Sequence, residues 1–142
     1  MFVRILFLLL ITKIFPIFSC ELSNGFYKYK DSNYIATPPS SINHKDYDVI
    51  LIGETHNNQL HHHFQSFLLS NFIAEDNKYS LALEMIEKNK KLFIDQWTQN
   101  LISDQDFKEK IEWDTFWGFK WDDYLTILNI AKFNSVNING IN

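Results

Sequence analysis

The chain has 142 residues, of which 46% are apolar and 16% aromatic, with 13 basic against 17 acidic side chains. This composition is typical of one folded domain and excludes a disordered or collagen-like chain. The formal net charge of −4 provides no basic surface for nucleic acid, and a single cysteine excludes an internal disulfide.

The N-terminus has the pattern of a secretory signal peptide at residues 1–19. Arg4 precedes an apolar run from Ile5 to Ile17 that is interrupted by Lys13. The run is shorter than the roughly 20 apolar residues of a membrane-spanning helix, which favours a signal peptide. The only cysteine, Cys20, follows directly. Its position predicts either a lipidated mature N-terminus or an ordinary secretory cleavage site beside it.

Residues 20–46 are polar and mixed, and we expect a tether and lead-in with a short strand at Gly25–Tyr29. The folded domain is expected at residues 47–142. It begins with Tyr47–Gly53, where four consecutive aliphatic residues end at a glycine, a pattern typical of a strand buried on both faces. Apolar residues three and four apart then predict a helix with one apolar stripe. The stripe consists of Leu60, Phe64, Phe67, Leu68 and Phe72.

A second strand is predicted at Ser80–Met85, so that strand, helix and strand form a βαβ unit with two parallel strands. Helices are expected over Glu87–Gln99 and Ser103–Lys110, the second of which opens with a serine and an aspartate spaced as a capping box. Helical spacing continues from Tyr124 to Ala131, and Val136–Ile138 starts a third strand.

These elements predict an α/β fold, an open parallel sheet of βαβ units with flanking helices. Three strands leave a small sheet with unpaired edges and few covering helices. We therefore expect the chain to be the truncated N-terminal half of a longer domain.

Polar side chains of two predicted strand ends are the first candidates for a site. Glu54 and His56 follow the first strand, and Glu84 ends the second. Ligands of open α/β sheets bind beyond the carboxyl ends of the strands, so these side chains are expected to share one cleft. They could bind a metal ion or act as acid and base. Alternatively, the two acids cap helices and His56 is a hydrogen-bonded turn residue.

Three consecutive histidines, His61 to His63, lie at the start of the first predicted helix. Neighbouring residues on a helix do not face each other, so the three cannot bind one ion together. On the predicted helix His61 and His63 flank the apolar stripe and could reach the cleft. His62 is expected to point towards solvent, where it could meet a partner or an anionic group. The alternative is that all three are solvated residues without a role.

The segment Trp113–Tyr124 has six aromatic residues in twelve positions. Such density is typical of a wall for a flat ligand, and equally of packing in a core or an interface. Tyr124 could supply a phenolate ligand to ferric iron.

Three motifs follow one another along the chain: GETHNNQLHHHFQ at 53–65, LALEMIEKN at 81–89 and WGFKWDDYLTILNIAKFN at 117–134. Together they resemble the ChaN-like haem-binding lipoprotein family, with its G-E-x-H-x-x-x-x-H-H core, its apolar strand ending in Glu-Met and its W-x-x-Y element. The matching residues are Gly53, Glu54, His56, His61, His62, Glu84, Met85, Trp121 and Tyr124. The chain is similar, more distantly, to the group that contains erythromycin esterase and the Tiki metalloproteases.

The resemblance implies a haem-binding protein rather than an enzyme, accessory to haem and iron uptake. It implies export, a lipid anchor on Cys20 in a bacterial membrane, on the periplasmic side of the outer membrane, and an outer-membrane haem receptor as a partner. It also implies a homodimer whose two haems meet at the shared interface, and His56 or Tyr124 as iron ligand. The implied cofactor-binding residues are Glu54, His56, His61, His62, Glu84, Trp121 and Tyr124.

Two further functions remain open. A metal-dependent hydrolase of the same superfamily would hold a divalent metal on Glu54, His56 and Glu84, although the sequence has neither a G-x-S-x-G elbow nor an HExxH helix. The chain could also be an inactive fragment.

Overall fold

The computed structural model of the protein describes residues 27–37, 45, 47–75 and 78–142. The chain divides into two compact units, Met1–Ser41 and Ile42–Asn142. The predicted signal peptide and Cys20 lie outside the described residues.

The described part of the smaller unit is a β-hairpin. Strand β1 (Tyr27–Lys30) pairs antiparallel with strand β2 (Asn33–Ala36). The two turn residues, Asp31 and Ser32, have φ angles of 51° and 63°. Two positive φ angles match the twist of a two-residue hairpin turn. The strand expected at Gly25–Tyr29 is thus confirmed from Tyr27 onwards, whereas its partner strand was not predicted.

The larger unit combines helices with a short parallel sheet. Its elements are α1 (Gln59–Glu75), β3 (Ser80–Leu83), a 3-10 turn (Lys88–Lys90), α2 (Lys91–Thr98), α3 (Asp104–Lys110), α4 (Trp113–Phe116), α5 (Trp121–Phe133) and β4 (Asn137–Gly140).

The sheet of this unit consists of β3 and β4, which pair in parallel with Ser80 opposite Asn137 and Leu83 opposite Gly140. The connection between the two strands runs through α2 to α5, because a parallel pair needs a long crossover. Leu83 and Ile138 are buried and bring the sheet into the core. The second and third predicted strands are therefore confirmed.

Gly140 allows β4 to approach the backbone that follows β3. A Cβ atom added at Gly140 would lie 2.5 Å from the carbonyl oxygen of Glu87 and closer still to that of Ile86. Beyond β4, the Asn142 N–H donates to the carbonyl of Ile86 at 3.3 Å. Only glycine permits this close approach of two backbones.

The first predicted strand, Tyr47–Gly53, is wrong. These residues form an irregular segment, in which Val49 is 71% exposed and Leu51 is 91% exposed. A strand needs a neighbour for its N–H and C=O groups, and within the described chain β3 pairs with β4 alone. The fold is a mixed α/β fold with one parallel pair, and the described residues do not form an open sheet of several βαβ units.

The predicted helices are confirmed, with small shifts at their ends. α3 begins at the expected capping box: the Asp106 N–H donates to Ser103 Oγ, and the Ser103 N–H donates to Asp106 Oδ2, both at 3.1 Å. The hydrogen bonds from Ser103 hold the pKa of Asp106 below its ordinary value. Local side-chain chemistry therefore fixes this helix start.

The core between the helices and the sheet is rich in aromatic residues. Trp97 and Phe107 stack with ring centroids 4.7 Å apart and planes at 11°, and both are fully buried. The Trp97 indole N–H donates to Asp104 Oδ1 at 2.7 Å, so its one polar atom is satisfied inside the core. Lys132 lies over the Trp97 ring at 4.4 Å and adds a cation–π contact.

α1 packs along α5, but on a different face from the predicted one. Leu68 and Phe72 of the predicted stripe are buried, whereas Leu60 and Phe67 are 58% and 48% exposed. The helix is apolar on several sides, so its apolar residues alone do not define one buried face. The face is rotated towards His62, which is buried near α5.

Candidate functional site

The loop at residues 53–58 is fixed by the start of α1. Asn58 Oδ1 accepts a hydrogen bond from the Leu60 N–H at 3.0 Å, which caps the helix. Asn58 in turn donates its N–H to the Thr55 carbonyl at 2.8 Å. The Thr55 N–H donates to His61 Nδ1 at 2.9 Å. The side chain of His61 therefore holds the loop that carries Glu54 and His56, instead of extending beyond that loop into the cleft.

Glu54 is the centre of a buried polar network. Its side chain is 7% exposed, and Oε1 accepts hydrogen bonds from the Tyr124 hydroxyl at 2.5 Å and from His56 Nδ1 at 2.9 Å. Burial by itself raises the pKa of Glu54, but hydrogen bonds from Tyr124, His56 and Gln65, with the nearby charge of His62, outweigh it and lower the pKa. The carboxylate is therefore charged at neutral pH.

His56 is the member of this network that reaches solvent, with 37% of its side chain exposed. Because Nδ1–H donates to Glu54, the neutral ring carries its lone pair on Nε2. Nε2 has no hydrogen-bond partner among the described residues. The rings of Trp117 and Phe119 lie 4.6 and 4.7 Å from the imidazole. A carboxylate that orients an imidazole in this way is typical of histidines that bind a metal.

Tyr124 lies beneath His56 and is 1% exposed. Burial raises the pKa of its hydroxyl, and the hydrogen bond donated to Glu54 raises it further. The phenol is therefore protonated and engaged with Glu54. Iron ligation by Tyr124, which stays a prediction, would require release of this hydrogen bond.

His62 contradicts the orientation that we predicted for it. It is 3% exposed, its Nε2–H donates to the His56 carbonyl at 3.0 Å, and its ring lies 4.5 Å from that of Tyr124. Nδ1 lies 3.1 Å from Glu54 Oε2, a contact without hydrogen-bond alignment that is attractive when the ring carries both protons. The solvent-facing prediction is wrong because Glu54 and Tyr124 place a carboxylate and an aromatic ring on this side of α1. His63 is the exposed member of the triplet.

A cleft of about 640 Å³ opens beside His56, within the size range of small-molecule sites. The loop at 53–58, the start of α1 and the start of α5 all contribute to it. Its lining residues are Thr55, His56, Asn57, Asn58, Gln59, Leu60, Phe119, Lys120 and Asp123.

Glu84 and Trp121 do not join this cleft. Glu84 is exposed in the turn after β3, and no group of three His, Cys, Asp or Glu side chains in the described part of the chain could hold a metal ion. The structure thus brings Glu54 and His56 together without Glu84. Trp121 packs edge-to-face on Trp113 at 4.9 Å, which is core packing.

The sequence does not individually indicate four residues of the site. Trp117 and Phe119 belong to the predicted aromatic segment, but the sequence does not indicate which of its rings face His56. Gln65 lies three residues after His62 on the same face of α1, and both are buried, so the position of one indicates that of the other. Lys120 had no signal beyond its place beside Phe119.

Among the described helices, none is both long and apolar enough to cross a membrane.

The fold and the site define a small α/β protein whose helix starts surround an open cleft lined by an oriented imidazole, with two aromatic rings packed against that imidazole. Residues 43–142 match the family model described as haem-binding uptake, Tiki superfamily, ChaN. The chain belongs to this family, which confirms the resemblance carried by the three motifs. Searches of curated proteins and of solved structures gave no match. The family supports a haem-related role for the chain.

Proposed function

We propose that the protein is an exported haem-binding lipoprotein, accessory to haem and iron uptake, and that haem binds in the cleft beside His56. The observation that carries this proposal is the hydrogen bond that holds the His56 ring on Glu54. Nδ1 donates to the buried Glu54 carboxylate, and Nε2 of this cleft-lining residue has no hydrogen-bond partner among the described residues.

The residues of the cleft have the chemistry that a haem requires. A neutral imidazole is a common axial ligand of haem iron, and a hydrogen bond from its other nitrogen to a carboxylate strengthens it as a donor. Trp117 and Phe119, whose ring centroids lie 5.6 Å apart, both pack against that imidazole, and Phe119 adds apolar surface to the cleft. When bound, haem would supply an iron centre, and this chain would supply ligation by His56 and aromatic contact.

Tyr124, His61 and His62 then have supporting roles around Glu54. The hydroxyl of Tyr124 and the ring of His62 hold the carboxylate, and His61 holds the loop through Thr55. Tyr124 is the second candidate for the iron ligand, but its buried hydroxyl and raised pKa favour the supporting role. We assign no haem contact to Glu84 or Trp121.

Export and anchoring rest on the signal peptide and on Cys20 at its end. Diacylation there would hold the protein firmly on the periplasmic side of the outer membrane, because two acyl chains exceed the marginal hold of one. The proposal also includes two partners that the family resemblance implies, a second copy of the chain in a homodimer and an outer-membrane haem receptor.

The hydrolase of the same superfamily is the weaker proposal. It would use Glu54, His56 and Glu84 together on a divalent metal, and Glu84 lies apart from the other two. Oε1 of Glu54 also already accepts hydrogen bonds from two donors of the protein itself, His56 and Tyr124.

Titration of the purified protein with hemin, followed in the Soret band, tests the proposal. Wild-type protein should give saturable binding with a shifted Soret maximum. His56→Ala should lose the shift, whereas His63→Ala, at an exposed position on α1, should retain it. A well-folded wild-type protein that does not bind hemin, or a Soret band unchanged by His56→Ala, would contradict the assignment.

Anchoring needs a separate experiment, since haem binding does not depend on it. Expression in a Gram-negative host with radiolabelled palmitate should label the wild type and not Cys20→Ser. Labelling of both proteins, or of neither, would remove the lipoprotein part of the proposal.

A further inference from the structure

Lys120 lies at the mouth of the cleft, immediately before α5, and has no firm partner. Its side chain is 61% exposed, and its one ion pair in the described structure is with Asp123 Oδ1 at 3.9 Å. The same oxygen also accepts a hydrogen bond from Gln59 at 3.4 Å. A long, exposed ion pair contributes little, so the ammonium group is available to another anion.

The lining of the cleft is of two kinds. Phe119 and Leu60 provide apolar surface, whereas Asn57, Gln59 and Lys120 provide N–H donors. A ligand that uses both kinds has an apolar body and at least one edge that accepts hydrogen bonds or carries negative charge.

The charges around the cleft restrict where a negative edge can lie. Asp123 is the one acid among the residues known to line the cleft, and its side chain is only 13% exposed. It opposes an anion in its immediate vicinity. The positive ends of α1 and α5, which both begin at the cleft, act in the opposite direction. Asp123 Oδ1 lies 3.9 Å from Lys120 Nζ but is largely buried, so an anionic group is favoured on the exposed side of Lys120, away from that carboxylate.

We propose that Lys120 determines ligand specificity in this cleft by binding a carboxylate at the edge of the ligand. The inference rests on the proposed haem binding, because haem carries two propionate groups at one edge of an otherwise apolar plane. Lys120 then fixes which edge faces solvent, and His56 and Phe119 contact the plane itself.

Two ligands and three variants separate this role from a structural one. Hemin and its dimethyl ester, which lacks the carboxylate charges, are titrated into the purified protein in the same mild detergent. Lys120→Gln should weaken hemin binding by about two- to fivefold and leave the ester unaffected, since one exposed ion pair is removed. Asp123→Asn, which retains an acceptor for Gln59, should tighten hemin binding without changing that of the ester. Lys78→Gln alters an exposed lysine beyond the other end of α1 and should change neither affinity.

The outcomes distinguish the two proposals. Loss of hemin affinity without loss of ester affinity in Lys120→Gln supports carboxylate recognition. Equal changes for both ligands, or no change for either, overturn it and leave haem binding intact. Absence of hemin binding to the folded wild type overturns both proposals.

Discussion

Tyr124→Phe should destabilise the protein and leave the iron environment of the haem complex unchanged. The substitution removes one oxygen from a buried ring and deletes the 2.5 Å hydrogen bond to the charged Glu54. Hydrogen bonds to charged groups contribute about 1.5–3 kcal/mol to stability. For a unit of this size, about 2 kcal/mol corresponds to a decrease in Tm of about 10 °C.

The effect should depend on pH with a defined sign. The folded-state pKa of Glu54 lies below its ordinary value of 4.5. Glu54 therefore contributes stability that is fully present above pH 4.5 and is lost as the pH falls through the folded pKa. The difference between wild type and Tyr124→Phe should accordingly be largest at neutral pH and shrink in acid.

Urea unfolding at neutral pH and at about pH 3.5 measures both effects. Tyr47→Phe is the matched control, because Tyr47 is 65% exposed and should tolerate the loss of its hydroxyl. A double-mutant cycle with Glu54→Gln isolates the coupling between the two side chains. A loss below about 0.5 kcal/mol at neutral pH, or an equal loss in acid, would refute the reasoning, given the magnitude expected for a charged hydrogen bond. If Tyr124→Phe shifts the Soret maximum and His56→Ala does not, iron ligation is assigned to Tyr124.

Further predictions concern the sheet and the cleft. Gly140→Ala should destabilise the protein by about 1–3 kcal/mol in chemical unfolding, because the added Cβ would overlap the Ile86 carbonyl. Gly53→Ala is the control and should have little effect, since a Cβ added there would have no neighbour within 4 Å. Equal effects of the two substitutions would contradict the close approach of the backbones at Gly140. Phe119→Ala should weaken hemin binding through loss of aromatic contact, and Phe116→Ala, an exposed ring outside the cleft lining, should not. Equal hemin affinities of these two variants in fluorescence-quenching titrations would remove Phe119 from the site.

Elements that depend on local chemistry could be predicted from the sequence. The capping box at Ser103 fixes the start of α3 through side chains three residues apart, and no distant partner is needed. The spacing of Tyr124 and Leu128 predicted the buried side of α5, because residues four apart lie on one face of a helix, and both are buried.

Elements that depend on distant partners could not be predicted from the sequence. Tyr47–Gly53 has the composition of a buried strand, but a strand forms only beside another strand, and its own residues do not reveal whether one is present. Apolar residues alone predict a solvent-facing His62. Its burial depends on Glu54 and Tyr124, one of which lies 62 positions further along the chain.

The motif around His56 predicted the pair of Glu54 and His56 correctly but not what surrounds it. Glu84 was expected there because the carboxyl ends of parallel strands meet at one edge of a sheet. Without a first strand beside β3, that edge does not bring Glu84 to the loop at residues 53–58. Trp117 and Phe119 reach His56 through the turn at Gly118, whose φ of 74° is a property of the backbone rather than of the motif.

The exposed aliphatic stretch Val49–Ile52 has a consequence for handling the protein. Four β-branched or long aliphatic residues in an irregular backbone form a short, uncharged and proline-free window, the type of sequence that nucleates intermolecular β-aggregation. The exposed Asp48 precedes the window with a negative charge and acts as a gatekeeper against such self-association. Dilute solutions should therefore suit the protein best, because this window associates between molecules.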